Sequence, residues 1–89
     1  MSITQKAIIN NVRGIHARPS AEIAKEAGKY KSSVTINNGT AKANARDVLQ
    51  LIILELFKGT EVEITADGPD ENEAIAGVKM MVEKSYDFD

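Results

Sequence analysis

The sequence predicts an α+β fold, an open-faced two-layer sandwich with the element order β-α-β-β-α-β-α. In this fold, three helices cover one face of a four-stranded antiparallel sheet. Two observations support the prediction. Short segments alternate apolar and polar residues, as strands with one wet face do, and three longer segments carry apolar residues at helical spacing. Strands and helices of this kind bury their apolar surfaces by stacking as two layers.

The first two elements are a strand and a helix joined by a short loop. ITQKAII, residues 3–9, is predicted to be the first strand. Its residues of one parity are Ile3, Ala7 and Ile9. From His16 onward, small and apolar residues recur at the spacing of one helical face. These residues are Ser20, Ile23, Ala24, Ala27 and Tyr30. Gly28 is predicted to close this helix.

A hairpin and a second helix follow. SSVTINNGTAKAN, residues 32–44, is predicted to be two strands joined by an Asn-Asn-Gly turn, because these turn residues tolerate positive φ. Asp47 is predicted to be the N-cap of the second helix, which the glycine of KGT, residues 58–60, would end. Eight of the ten residues from Val48 to Phe57 are apolar, which is more than one buried stripe can hold. Val48, Leu51 and Leu54 would fill the stripe, leaving Leu49, Ile52 and Ile53 partly exposed.

The last two elements are a strand and a helix with clear patterns. In EVEITAD, residues 61–67, the apolar side chains all face one way. They are Val62, Ile64 and Ala66. Pro69 or Asp70 marks the start of the last helix, and acidic residues suit the positive end of its dipole. Its predicted buried stripe is Ala74, Ile75, Val78, Met81 and Val82.

Length and composition exclude several classes of protein. A chain of 89 residues is predicted to form a single domain over residues 1–89, too small for a large internal cavity. A net charge of −2 argues against nucleic acid as the main partner. The absence of cysteine excludes disulfides and thiolate metal sites and favours a cytoplasmic location. No signal peptide or membrane-spanning segment is predicted, and no metal or cofactor is expected.

The segment GIHARPS, residues 14–20, contains the only histidine of the chain. The helical pattern places His16 just ahead of the first turn, where free N–H groups and the helix dipole favour a phosphoryl group. Gly14 lets the loop turn sharply, and Pro19 fits a first helical turn. Arg18 provides a planar charged fork for phosphate oxygens. The imidazole could therefore act as a nucleophile toward phosphorus, although a mere capping role stays open on the residues alone.

The motif GIHARPS resembles the active-site signature of the HPr family, the phosphocarrier proteins of the bacterial phosphoenolpyruvate-dependent phosphotransferase system. The resemblance extends to SSVTINNG, KGTEVEITADGPDENEAI and the element order. It implies that His16 is phosphorylated on Nδ1, that Arg18 stabilises the phosphate, and that Gly14, Ala17 and Pro19 support the site. It also implies a carrier rather than a stand-alone enzyme, which takes phosphate from Enzyme I and passes it to an EIIA-type domain in sugar uptake or its regulation.

The resemblance also assigns roles around the second helix. Leu49, Ile52 and Ile53 would contribute to the face that Enzyme I and EIIA proteins cover, with Arg18 and Arg46 steering acidic partners. Asp47 occupies the position at which many family members carry a regulatory serine, although its N-cap role alone accounts for it. The pattern ANARDVLQLIILELFKG and the tail SYDFD also resemble the nitrogen branch, NPr. Three alternatives stay open: a sugar-branch carrier, an NPr-type carrier, and a regulatory binding module that transfers no phosphate. The chain is expected to be a monomer.

Overall fold

The computed structural model describes residues 2–11, 14–15 and 17–84, and it has the predicted order of elements. The elements are β1 (Ser2–Ile8), α1 (Ala17–Ala27), β2 (Ser33–Asn37), β3 (Lys42–Asn44), α2 (Val48–Ile53), β4 (Glu61–Asp67) and α3 (Glu71–Glu83). The strands form one antiparallel sheet in the order β1-β4-β2-β3. The predicted fold class is confirmed.

The sheet is built around β4, which pairs with β1 on one side and with β2 on the other. The apolar residues of β4 alternate with polar ones, and this pattern predicted which side chains are buried. The structure confirms it, because these apolar side chains are at most 1% exposed. The buried face of the sheet is formed by Ala7, Val34, Ile36, Ala43, Val62, Ile64 and Ala66. The helices pack against this face. On the opposite face, polar side chains meet across strands, as the hydroxyls of Thr4 and Thr65 do at 2.9 Å.

The apolar stripes predicted for the first and last helices lie in the core. Fully buried residues of these stripes are Ser20, Ile23 and Ala27 in α1, and Ala74, Ile75, Val78 and Val82 in α3. Residues at the margins of the stripes, which are partly exposed, are Ala24, Tyr30 and Met81. The helix α1 ends next to Gly28, as predicted. Ile9 is fully buried one residue beyond the end of β1.

The helix α2 is much shorter than the sequence suggests. The prediction that it runs to Gly59 is wrong, because the helix ends at Ile53. Glu55 has a left-handed backbone with φ 55°, and its N–H donates to the carbonyl of Ile52 at 3.1 Å, only three residues earlier. This tight turn takes the chain out of the helical path.

Contacts with distant parts of the chain explain why α2 ends early. The Nδ2 of Asn38, in the loop between β2 and β3, donates to the carbonyl of Leu54 at 3.1 Å. The carbonyl of Leu56 accepts from the N–H of Ile15 at 2.8 Å, and the Leu56 side chain is only 2% exposed. The turn therefore buries Leu56 and pairs its backbone with the segment that precedes α1.

Asp70 lies at the start of α3, as predicted, but its carboxylate connects to the start of β2. It accepts hydrogen bonds from the N–H groups of Lys31 and Ser32, both at 2.9 Å, and from the Ser32 hydroxyl at 2.5 Å. These bonds, chiefly that of the Ser32 hydroxyl, lower the pKa of Asp70 below its ordinary value. Gly68 is packed so closely here that a Cβ would lie 2.6 Å from the Cα of Ser32.

This carboxylate predicts a pH dependence of stability. A folded pKa below the unfolded value of about 3.9 means that ionised Asp70 stabilises the fold above that pH. The stabilisation is lost as the pH falls through the lowered folded pKa. We expect Asp70→Asn to have a lower Tm than the wild type at pH 7, with the two values converging below pH 4. Thermal unfolding followed by circular dichroism at several pH values measures this.

The matched control is Glu73→Gln, which removes the same charge from the first turn of α3 without touching residues 31 and 32. The Tm of this variant should follow the wild-type pH profile closely. A Tm difference between Asp70→Asn and the wild type that is the same at pH 7 and pH 3 would contradict the assignment.

Candidate functional site

His16, the predicted phosphate acceptor, lies outside the described residues, as do Val12 and Arg13. The residues on both sides of it are described. Ile15 immediately precedes it, and Ala17, the first residue of α1, immediately follows it. The helix α1 therefore begins at the residue that follows His16 in the sequence, which agrees with the predicted start of this helix.

The segment before His16 is held against the chain that follows α2. Gly14 has φ 75°, and a Cβ at this position would overlap the carbonyl oxygen of Leu56 and lie 3.1 Å from the Cα of Phe57. The next residue, Ile15, donates its N–H to the same Leu56 carbonyl at 2.8 Å. Only a residue without a side chain allows this approach. The predicted need for glycine at position 14 thus has a specific cause, the Leu56 backbone.

The first turn of α1 carries the other predicted site residues. Ala17 and Arg18 are exposed, whereas Pro19 and Ser20 are buried. Pro19 is the third residue of the helix, where it needs no intrahelical partner for its missing N–H. None of the residues from Ala17 to Ser20 is acidic, so the first turn keeps the positive end of the helix dipole uncompensated by its own carboxylates. An exposed guanidinium at such a helix end suits a phosphate group.

An exposed apolar surface lies next to this segment, and we call it the apolar surface. It consists of Leu49, Ile53 and Phe57, which are 70%, 74% and 64% exposed. Leu49, Ile52 and Ile53 were predicted to be partly exposed, and the structure agrees, with Ile52 the least exposed of the three. Phe57 was missed, because the sequence suggested a longer helix there. The backbone of Phe57 lies beside Gly14, since a Cβ built on Gly14 would be 3.1 Å from the Phe57 Cα.

Arg46, expected to steer partners, makes internal contacts. Its guanidinium donates to the carbonyl of Ala27 at 3.4 Å, to that of Ser32 at 3.4 Å and to that of Tyr30. These carbonyls lie at and after the end of α1, opposite the end that follows His16. A cation there satisfies orphan carbonyls and favours the helix dipole. Arg46 therefore supports α1.

Asp47 is the N-cap of α2, as predicted. Its carboxylate accepts from the N–H of Gln50 at 3.2 Å and from the Nε2 of the same residue at 3.2 Å. Gln50 in turn accepts from the N–H of Asn44 in β3 at 2.8 Å. The charge of Asp47 is thus engaged at the start of α2, and Gln50 connects this helix to the end of β3. Ser32, whose hydroxyl donates to Asp70 at the start of α3, is a separate residue and is fully buried.

The described ranges contain no group of three or more His, Cys, Asp or Glu side chains placed to hold a metal ion. None of the helices in the same ranges has the length and apolar character needed to cross a bilayer.

A histidine ahead of a helix N-terminus, with an arginine in the first turn, is a combination suited to holding a phosphoryl group at a protein surface. Residues 3–84 match the family PTS-HPr, described as the PTS HPr component phosphorylation site. The chain belongs to this family of phosphocarrier proteins. Its members carry phosphate between other proteins and are not stand-alone enzymes.

Individual relatives come from both branches of the family. Phosphocarrier protein HPr of Mycoplasma capricolum is 38% identical over 73 residues, which cover 82% of each chain. Phosphocarrier protein NPr of Klebsiella oxytoca is 36% identical over 91 residues and covers all of both chains. The crystal structure of HPr from Bacillus anthracis has a TM-score of 0.87 at 23% identity and covers 92% of this chain and 98% of that one, which shows the shared fold.

Proposed function

We propose that this chain accepts phosphate on His16 from Enzyme I, which is charged by phosphoenolpyruvate, and passes it to an EIIA-type domain. The observation that carries the proposal is local. The backbone just before His16 is tied to Leu56, and α1 begins just after it, with Arg18 exposed in the first turn. Membership of the phosphocarrier family supports the same assignment.

The proposed chemistry is reversible transfer to an imidazole nitrogen. The neutral ring has a lone pair on Nδ1 and a proton on Nε2, so it can attack phosphorus without first losing a proton. The bond from Nδ1 to phosphorus forms as the bond from phosphorus to the donor breaks. The positive end of the α1 dipole and the Arg18 guanidinium would then stabilise the phosphate oxygens. An exposed site of this kind binds phosphate loosely enough to release it to the next protein.

Several further expectations belong to this proposal. Gly14, Ala17 and Pro19 shape the site, and Leu49, Ile52 and Ile53 contact the partner proteins. The whole chain acts as one monomeric domain in the cytoplasm, with regulatory proteins as further partners. Asp47 replaces the regulatory serine as a helix cap, so control by a serine kinase at that position is absent. The substrate pathway is sugar uptake or its regulation.

A second candidate is the nitrogen branch, in which the chain would be an NPr-type carrier with its own Enzyme I and EIIA proteins. The full-length match to an NPr favours it. The identities of 38% to an HPr and 36% to an NPr are too close to separate the branches.

Phosphoryl transfer from Enzyme I tests the proposal. The purified protein is incubated with labelled phosphoenolpyruvate and Enzyme I of either branch, and then with the EIIA protein of the same branch. We expect an acid-labile, alkali-stable phosphoryl group that moves on to EIIA, with faster transfer in one branch. If neither Enzyme I labels the wild-type protein, the proposal is rejected in favour of a binding module that transfers no phosphate.

The apolar surface predicts an effect on partner affinity. Leu49→Glu combined with Ile53→Glu places charge on two side chains that are 70% and 74% exposed, so the core is untouched. Loss of two exposed apolar side chains from the proposed docking surface is expected to raise the KM for Enzyme I at least about tenfold, with kcat within about twofold of the wild type. Steady-state transfer kinetics at varied carrier concentration measure both constants.

The control for this variant is Met80→Glu. Met80 is 64% exposed and lies on α3, so the substitution adds the same kind of charge to an exposed apolar position outside the apolar surface. Its KM should match that of the wild type. An unchanged KM in the double variant would rule out docking through Leu49 and Ile53.

A further inference from the structure

Asn11 and Gly14 are joined by two hydrogen bonds just before the proposed phosphate acceptor. The backbone N–H of Gly14 donates to the carbonyl of Asn11 at 2.9 Å, and the side-chain Nδ2 of Asn11 donates to the carbonyl of Gly14 at 2.8 Å. We infer that Asn11 is a positioning residue for phosphoryl transfer at His16. The inference rests on the proposed function and adds a residue to its machinery.

The side chain of Asn11 is held in the protein interior. Asn11 is 1% exposed, one of three polar residues found buried in the described part of the chain. A buried amide is costly unless its hydrogen bonds are made, so its position is strongly determined. The bond to the Gly14 carbonyl therefore has a well-defined direction, which an exposed and mobile side chain could not impose.

One peptide unit receives two of these constraints. The carbonyl of Gly14 and the N–H of Ile15 belong to the same planar group. The carbonyl accepts from Asn11 at 2.8 Å, and the N–H donates to the carbonyl of Leu56 at 2.8 Å. Because both ends of the plane are bonded, its rotation is blocked. His16 follows Ile15 in the sequence, so this peptide plane is the last fully held unit before the proposed phosphate acceptor.

The chain before Asn11 is tied to the same neighbouring segment. Ile9 donates its N–H to the carbonyl of Thr60 at 2.9 Å and accepts from the N–H of Gly59 at 2.7 Å. Residues 56–60 therefore hold the chain both before Asn11 and after Gly14. Asn11 lies between these two anchored points, and its side chain bonds to the carbonyl of Gly14. Its loss should loosen the Gly14–Ile15 peptide while the rest of the fold persists.

A looser peptide should affect the chemical step more than binding. Transfer requires the ring nitrogen to meet phosphorus in a narrow geometry, and a displacement of about 1 Å can lower a rate on the order of a hundredfold. In the proposed function, partner affinity depends on the apolar surface. A substitution at Asn11 changes none of the side chains of that surface. Removal of the amide should therefore lower kcat for transfer from Enzyme I by about 10- to 100-fold, and leave KM within about twofold.

Two variants and one matched control test the inference. Asn11→Ala removes the amide, and Asn11→Leu removes it while nearly keeping the volume, so that at least one variant avoids a large cavity. The control is Asn10→Ala, which removes the same group from the adjacent residue. The Nδ2 of Asn10 donates to the carbonyl of Glu83 at 2.9 Å, at the end of α3. Urea unfolding establishes that each variant is folded.

The readouts are kcat and KM for transfer from Enzyme I, and exchange of the Ile15 amide proton with solvent. We expect Asn11→Leu to show the loss in kcat and exchange of the Ile15 N–H at least about tenfold faster. Asn10→Ala should show neither change. A folded Asn11→Leu with wild-type kcat overturns the inference, as does an equal loss of kcat in Asn10→Ala.

Failure of the proposed function gives a different result. If Enzyme I does not phosphorylate the wild-type protein, the proposed function is rejected and the positioning role is rejected with it. Amide exchange needs no partner protein. Unchanged exchange of the Ile15 N–H in Asn11→Leu would therefore show that the Asn11 side chain does not hold the Gly14–Ile15 peptide, even if the wild type carries phosphate.

Discussion

His16→Ala is expected to abolish acceptance of phosphate from Enzyme I. His16 is the only histidine in the chain, so no second imidazole can take over its role. Hydroxyl and ammonium groups are poor nucleophiles at neutral pH without an activating base. The acid-labile label should therefore fall by at least about a thousandfold, to the background of the assay, because the covalent intermediate itself is lost.

The measurement is the transfer of labelled phosphate from phosphoenolpyruvate through Enzyme I, followed by acid and alkali treatment. His16→Gln serves as a second variant, which keeps a polar side chain but has no ring nitrogen. Circular dichroism and urea unfolding check that both variants are folded. Undiminished label on either variant would reject His16 as the acceptor, and an alkali-labile label would point to a hydroxyl group instead.

Gly14→Ala is expected to lower the free energy of unfolding more than any other single methyl group added at a described residue of the site. The new Cβ would overlap the carbonyl oxygen of Leu56, a backbone atom that cannot move aside as a side-chain tip can. The backbone at Gly14 also has φ 75°, which an alanine adopts at a cost of about 1–2 kcal/mol. Strain and overlap together should reduce the free energy of unfolding by about 3 kcal/mol or more.

The chain can relieve this overlap only by moving Gly14 and Ile15 away from Leu56. We therefore expect kcat for phosphoryl transfer to fall by about 10-fold or more in the protein that still folds. Urea unfolding measures the loss in stability, and single-turnover transfer from phosphorylated Enzyme I measures the rate.

Gly39→Ala provides the comparison for this variant. Gly39 also has positive φ, 100°, but a Cβ there would have nothing within 4 Å. In this variant, backbone strain alone should lower the free energy of unfolding by about 1–2 kcal/mol. The rate of phosphoryl transfer should equal that of the wild type. Equal losses of stability in the two variants would mean that the Leu56 carbonyl contributes nothing to the requirement for glycine at position 14.

The elements with clear patterns were predictable because their burial is encoded locally. In β4, alternate residues are buried, and they are the residues that the alternation selects. In α3, the apolar stripe at helical spacing is the stripe that packs on the sheet. Asp47 and Gly39 were equally readable, because a capping carboxylate and a positive φ are properties of single residues. The predicted turn is displaced, however, because Asn37 pairs as the last residue of β2 and residues 38–41 connect the two strands.

The end of α2 was not predictable in this way. The apolar residues continue past Ile53 to Phe57, so periodicity alone extends the helix. Hydrogen bonds from Asn38 and Ile15 to the carbonyls of Leu54 and Leu56 favour a turn instead. These partners belong to other elements, and nothing in the α2 sequence reports them.

The sequence by itself determined the fold class, the presence of a single imidazole ahead of a helix, and the family to which the chain belongs. The tertiary structure decided which groups hold that segment in place. Asn11 is read from the sequence as an ordinary loop residue, yet it is buried and bonded to the Gly14 carbonyl. Preferences for turns and burial depend on residues that are neighbours in the sequence, so they can be predicted from it. The Gly14–Ile15 peptide is held by Leu56, and only the packing of distant segments brings that residue near.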